Sequence, residues 1–116
     1  MPEMFKLVVT VPLTHSDDVR KALGDAGAGR IGNYGYCSFS VRGVGRFLPL
    51  QGATPYIGGV GQMEAVEEER IEVNVPGDVL PEVIRAMKAA HPYEEVAYDI
   101  YKLENADSIK GLEVTA

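Results

Sequence analysis

Eleven of the thirteen glycines in this chain of 116 residues fall between Gly24 and Gly61, and no other feature constrains its folding as much. A stretch so rich in glycine has to turn often or let another surface approach its backbone closely. It does not read as a bare linker, because Tyr34, Tyr36, Phe39, Phe47, Leu48 and Ile57 interrupt the glycines and bring apolar surface that needs burial. Regular elements are therefore expected mainly on its two flanks, with the stretch itself folded against them.

On the N-terminal flank, Phe5, Leu7, Val9 and Val11 alternate with other residues and predict a strand ended by Pro12. Ser16 is expected to cap a helix whose first turn holds Asp17 and Asp18 and whose apolar stripe is Val19, Ala22, Leu23 and Ala26. Inside the glycine-rich stretch, residues Tyr36 to Arg42 read as a strand, Gly43-Val44-Gly45 as a turn, Arg46 to Leu50 as the returning arm of a hairpin, and Gln51 to Gly61 as a long loop. On the C-terminal flank the run Glu64 to Arg70 is acidic, but Ile71, Val73 and Val75 alternate with Glu72 and Asn74, so the periodicity is that of a strand up to Pro76-Gly77. Asp78 as a cap, Pro81 in the first turn, and Leu80, Val83, Ile84, Met87 and Ala90 at helical spacing predict a second helix. Pro92 disfavours the helical conformation at His91 and ends it. A last strand follows, with Val96, Tyr98 and Ile100 on one face and Ala97, Asp99, Tyr101 and Leu103 on the other.

This order gives an α+β, ferredoxin-like βαββαβ sandwich in one domain, residues 1–103, with a polar C-terminal tail over 104–116. Both helices then cover one sheet face. The other face would carry Ala97, Tyr101 and Leu103, and an apolar patch there is most simply covered by a second copy.

Composition narrows the function classes. A net charge of −6 and a pI near 4.8 argue against nucleic acid or an anionic membrane as partners, because both attract a surplus of lysine and arginine. The lone Cys37 allows no intramolecular disulfide and no multi-cysteine zinc site, and fits a reducing compartment. With no basic-then-apolar leader and no run of about twenty apolar residues, the expectation is a soluble, cytoplasmic protein.

The residues with chemistry to offer gather around His91-Pro92-Tyr93-Glu94-Glu95. In an extended segment His91, Tyr93 and Glu95 share a face. His91 is able to act as a base or a metal ligand, and His91, Glu94 and His15 are the candidate ligands for a divalent metal, although the close ligand spacing typical of zinc sites is absent. The plainer reading has His91 holding the turn between helix end and proline. Cys37 is expected to pack as a small hydrophobe beside Phe39 and Val41. The glycine-rich stretch has neither a phosphate-loop lysine nor a GxGxxG run leading into a helix, though Arg30, Arg42 and Arg46 are placed to meet an anion.

Taken in order, Gly27-Ala28-Gly29-Arg30-Ile31-Gly32-Asn33-Tyr34, Cys37-Ser38-Phe39, Gly43-Val44-Gly45-Arg46-Phe47-Leu48-Pro49, Gly52-Ala53-Thr54-Pro55-Tyr56-Ile57-Gly58, Glu69-Arg70-Ile71-Glu72 and His91-Pro92-Tyr93-Glu94-Glu95-Val96-Ala97-Tyr98-Asp99 closely resemble the domain inserted in YqfO proteins, of the Ngg-one-interacting-factor-three-like family. The resemblance runs from the first strand to Leu103. It implies a domain like the trimeric CutA and PII proteins, here resembling a free-standing copy. In longer family members a separate core holds two metals; this chain does not contain that core, so the dinuclear-metal and cyclohydrolase labels do not carry over. The resemblance implies a non-catalytic regulatory or binding module, self-associating as a trimer and taking a small molecule or a protein partner. The expected ligand-binding residues are Arg30, Asn33, Tyr34, Arg46, Glu64, His91, Tyr93 and Glu95, with Tyr93, Ala97, Tyr101 and Leu103 at the subunit interface. A metal-binding or metal-dependent hydrolytic protein and a purely structural assembly domain are the alternatives.

Overall fold

A computed structural model describes residues 3–104 and Gly111. Strand β1 (Met4–Pro12) leads through a single 3₁₀ turn, Leu13–His15, into helix α1 (Ser16–Asp25). Strands β2 (Phe39–Phe47) and β3 (Glu64–Pro76) follow, then a second 3₁₀ turn, Gly77–Val79, helix α2 (Leu80–Ala90) and strand β4 (Tyr98–Leu103). The four strands form one antiparallel sheet in the order β2-β3-β1-β4, the ferredoxin-like arrangement.

The core lies between the helices and one sheet face. Leu7, Val9 and Val11 of β1 and Ile71, Val73 and Val75 of β3 meet Val19 and Leu23 of α1 and Val83 and Met87 of α2, all buried. These are the expected alternating and helical stripes. Arg20 of α1 fastens the edge by donating to Glu69 Oε1 at 2.7 Å and Ser40 Oγ at 3.2 Å, which ties the helix to β3 and β2 together. Pro81 stands in the first turn of α2, and the helix ends at His91, whose φ of −84° and ψ of 138° are extended, as the following proline requires.

Four local expectations are corrected. Ser16 is the first residue of α1 and not its cap, because the 3₁₀ turn places His15 at the boundary; the Ser16 hydroxyl instead donates to the Pro12 carbonyl. Asp78 likewise falls inside a 3₁₀ turn, with Val79 at the helix boundary. Gly43-Val44-Gly45 does not turn: β2 runs through it in unbroken register with β3, from Phe39 opposite Glu72 to Phe47 opposite Glu64. Glycines allow a turn but do not require one, and the ladder to β3 holds them extended. Cys37 precedes β2 and is half-buried, and Phe39 and Val41 beside it are exposed, so the expected packing is absent there.

The molecule is elongated. Its Cα radius of gyration is 16.5 Å, against about 13 Å for a compact domain of this length, and its extents are 54 × 27 × 23 Å. The reason is the β2–β3 hairpin: β1 pairs with β3 only from Glu68 onward, so the Val44–Phe47 and Glu64–Glu67 segments project beyond the helix-backed sheet. Register puts Phe39 and Val41 of β2 and Tyr101 of β4 on the sheet face away from the helices, where all three are about half exposed or more. Leu103 shares that face and Ala97, just before β4, is exposed. No helix among the described residues is long and apolar enough to cross a membrane. The expected tail over 104–116 lies outside the described residues except for Glu104 and Gly111.

Candidate functional site

The segment between α2 and β4 folds back on the open sheet face, and Tyr93 is its centre. The His91 ring is buried; its Nε2 lies 2.8 Å from the Thr10 carbonyl, to which it donates, and its Nδ1 accepts from the Tyr93 backbone N–H at 3.2 Å. Both ring nitrogens are thus engaged in the neutral form, and burial lowers the imidazole pKa despite the Thr10 carbonyl and the nearby Glu68 charge. The Tyr93 ring packs on His91 at a centroid distance of 5.0 Å and meets Phe47 at 6.0 Å and Tyr56 at 6.3 Å. Its hydroxyl donates to Glu68 Oε2 at 2.7 Å, and burial together with that carboxylate pushes the phenol pKa well above its usual value. Glu68 lies over Gly45, where any β-carbon would overlap its carboxylate. Here a glycine inside a strand serves a close approach and not a turn.

Residues 48–63 form the wall opposite. Glu94 holds this loop, accepting from the Thr54 backbone N–H at 3.0 Å and the Thr54 hydroxyl at 2.9 Å, while Tyr56 stacks edgewise on His15. Between the loop, the β2 edge and the 93–97 segment runs a groove of about 690 Å³. Leu48, Pro55 and Ile57 supply apolar wall, and Glu68, Tyr93 and Glu95 reach it as polar groups. An apolar concavity with a few converging polar atoms is the usual form of a small-molecule site.

No family model matches the chain. Curated relatives do: the GTP cyclohydrolase 1 type 2 homolog of Bacillus subtilis is 54% identical over 107 residues, 92% of this chain and 29% of the relative. The protein of that name from Mycobacterium tuberculosis is 52% identical over 101 residues, 87% of this chain and 27% of the relative. Among solved structures, a Bacillus cereus protein related to NIF3 superposes with a TM-score of 0.78 at 57% identity, over 90% of this chain and 26% of that one. The chain is a homologue of one segment of the NIF3/YqfO-related proteins. It spans under a third of the length of these relatives. The NIF3-related segment also shares its fold with CutA of Archaeoglobus fulgidus (TM-score 0.64, 19% identity, 92% of this chain and 88% of that one) and with GlnK of B. subtilis (0.59, 15%, 96% and 92%).

The structure divides the ligand-binding residues expected from the sequence. Arg46, Tyr93 and Glu95 line the groove, His91 supports Tyr93 from behind, and Glu64 lines a second cavity on the other side of Tyr56. Arg30, Asn33 and Tyr34 are exposed on a tight turn closed by the Ile31 and Tyr34 backbones. That turn is anchored through Gly29 N–H to the Asn74 carbonyl, six residues or about 20 Å along β3 from Glu68. The candidate metal ligands do not assemble: His91 is satisfied at both nitrogens, Glu94 is committed to Thr54, and His15 Nδ1 faces the Thr14 hydroxyl. No group of three potential metal ligands occurs among the described residues. Glu68, Thr54 and Tyr56 are not among the site residues expected from the sequence. Alternation with Ile71 and Val73 does place Glu68 on the open face, but nothing local distinguishes it from the glutamates around it.

Proposed function

We propose that this NIF3-related segment is a non-catalytic binding module of PII/CutA-like type, which self-associates as a trimer in the cytoplasm and presents its groove to a small molecule or a protein partner. The observation that carries the reading is the groove itself, an apolar cleft of about 690 Å³ along the projecting β2 edge, with its outer loop tied down by Glu94 and Thr54. Self-association is supported by the exposed Phe39, Val41 and Tyr101 on the sheet face away from the helices. The GlnK protein that shares the fold was solved with ATP, so nucleotides enter the screen beside uncharged and cationic metabolites.

Light scattering and native mass spectrometry at micromolar concentration are expected to give a trimer, with Phe39→Asp shifting the mass toward monomer. A thermal-shift screen of nucleotides and metabolites is expected to return at least one stabilising ligand. A monomer that no compound stabilises would overturn the proposal.

A further inference from the structure

We propose that Glu68 and Tyr93 anchor a binding site for an organic cation, a protonated amine or guanidinium carried on a flat apolar body. The inference rests on the groove being a ligand site and specifies what it takes. Glu68 is only 7% exposed, yet among the described residues its carboxylate accepts a single hydrogen bond, the one from Tyr93 at 2.7 Å, and has no lysine or arginine within 4.0 Å. A carboxylate offers about four acceptor sites, and the oxygen that Tyr93 leaves free is not shut away from solvent but opens on the groove that Glu68 lines.

Three arginines, Arg42, Arg46 and Arg70, line the groove, but among the described residues none forms an ion pair with Glu68. Arg70 shares the open face two residues along β3 but binds Glu72 at 3.1 Å. Arg42 and Arg46 border the groove, but in register they stand on the helix side of β2, opposite Glu69 and Ala65. His91 is held neutral by burial with both ring nitrogens bonded. A cation entering the groove would therefore meet Glu68 directly. It would also meet aromatic faces, because Tyr93, Phe47 and Tyr56 cluster beside the carboxylate, and such faces attract ammonium and guanidinium groups. With its O–H donated to Glu68, the Tyr93 hydroxyl keeps lone pairs to accept from the ligand's N–H.

A free amine and the basic side chain of a neighbouring copy offer the same chemistry, and one experiment separates them. The full chain is titrated by two-dimensional NMR with phenethylamine and benzamidine, and with the uncharged 2-phenylethanol and the anionic 3-phenylpropionate as controls. The cations are expected to bind at least tenfold more tightly than the alcohol, shifting the amides of Gly43, Gly45 and Glu68, with the anion weakest. Glu68→Gln should bring the amine down to the alcohol's affinity and leave the alcohol unchanged. Tyr93→Phe, which keeps the ring, should give an intermediate loss and serves if Glu68→Gln folds poorly. If Glu68→Gln also lowers the mass seen by light scattering, the cation is confirmed with a second copy as its source. Equal binding of amine and alcohol by the wild type would overturn the cation site and leave the groove standing. If no probe perturbs those amides, the groove reading itself falls.

Discussion

Two halves of one sheet solve different problems. Around β1 and the later part of β3, inward side chains pack on the helices: Leu7, Val9, Ile71 and Val75, with Val83 and Met87 of α2 against them, are essentially inaccessible to water. Around β2 and the 48–63 loop the same kind of residue is left outside, with Phe39 at 66% exposure and Leu50 at 68%. The first half is stabilised by its own packing. The second has no helix above it and is held by polar ties and close approaches, Glu94 to Thr54, Tyr93 to Glu68, and Glu68 over Gly45. The contrast shows where stability and where recognition reside: burial satisfies the first half, and the second keeps apolar surface available for something else to cover.

The largest effect should come from the buried half. Met87→Ala removes a fully inaccessible side chain at the helix–sheet contact and is expected to cost about 2–5 kcal/mol, read from urea unfolding. A loss below about 1 kcal/mol would mean that this core is not what holds the chain together. In the arm, Gly45→Ala forces a methyl into the Glu68 carboxylate and should cost about 1–3 kcal/mol, whereas Gly43→Ala two residues away meets nothing within 4 Å and should be close to neutral. Equal costs for both would show that strand propensity, and not the Glu68 contact, governs the position. The smallest effect concerns pH. The unfolded imidazole titrates near 6.5 and the folded His91 below it, so the unfolded chain takes up the proton first as pH falls. The contribution of His91 is complete above pH 6.5 and is lost as pH drops below it, by at most about 1.4 kcal/mol per pH unit until the folded ring also protonates. His91→Asn should flatten the stability curve just below pH 6.5; an unchanged slope would assign it to other groups.

How legible each part was follows the same division. Periodicity announces elements that bury one face, so β1, β3 and both helices stood out from residues such as Leu7, Ile71 and Met87. It finds only the first part of β2, Phe39 to Arg42, and loses the rest, because Gly43 and Gly45 carry no side chains to set a phase. The site was half legible. Tyr93 and Glu95 lie in a conspicuous motif, whereas Glu68 reaches Tyr93 across 25 positions and Thr54 reaches Glu94 across 40.

By itself, the sequence determined the ferredoxin-like order of elements, the faces that β1, β3 and the helices bury, and the helix stop at His91-Pro92, since each depends on spacing or on backbone sterics within a few residues. Only the tertiary structure decided that the glycines at 43 and 45 stay in a strand, that His91 spends both nitrogens on backbone groups, and that Glu68 lies nearly buried beside Tyr93 in an apolar groove. Those outcomes depend on which distant atoms arrive next to which, and a carboxylate's partners are set by that meeting and not by its neighbours along the chain.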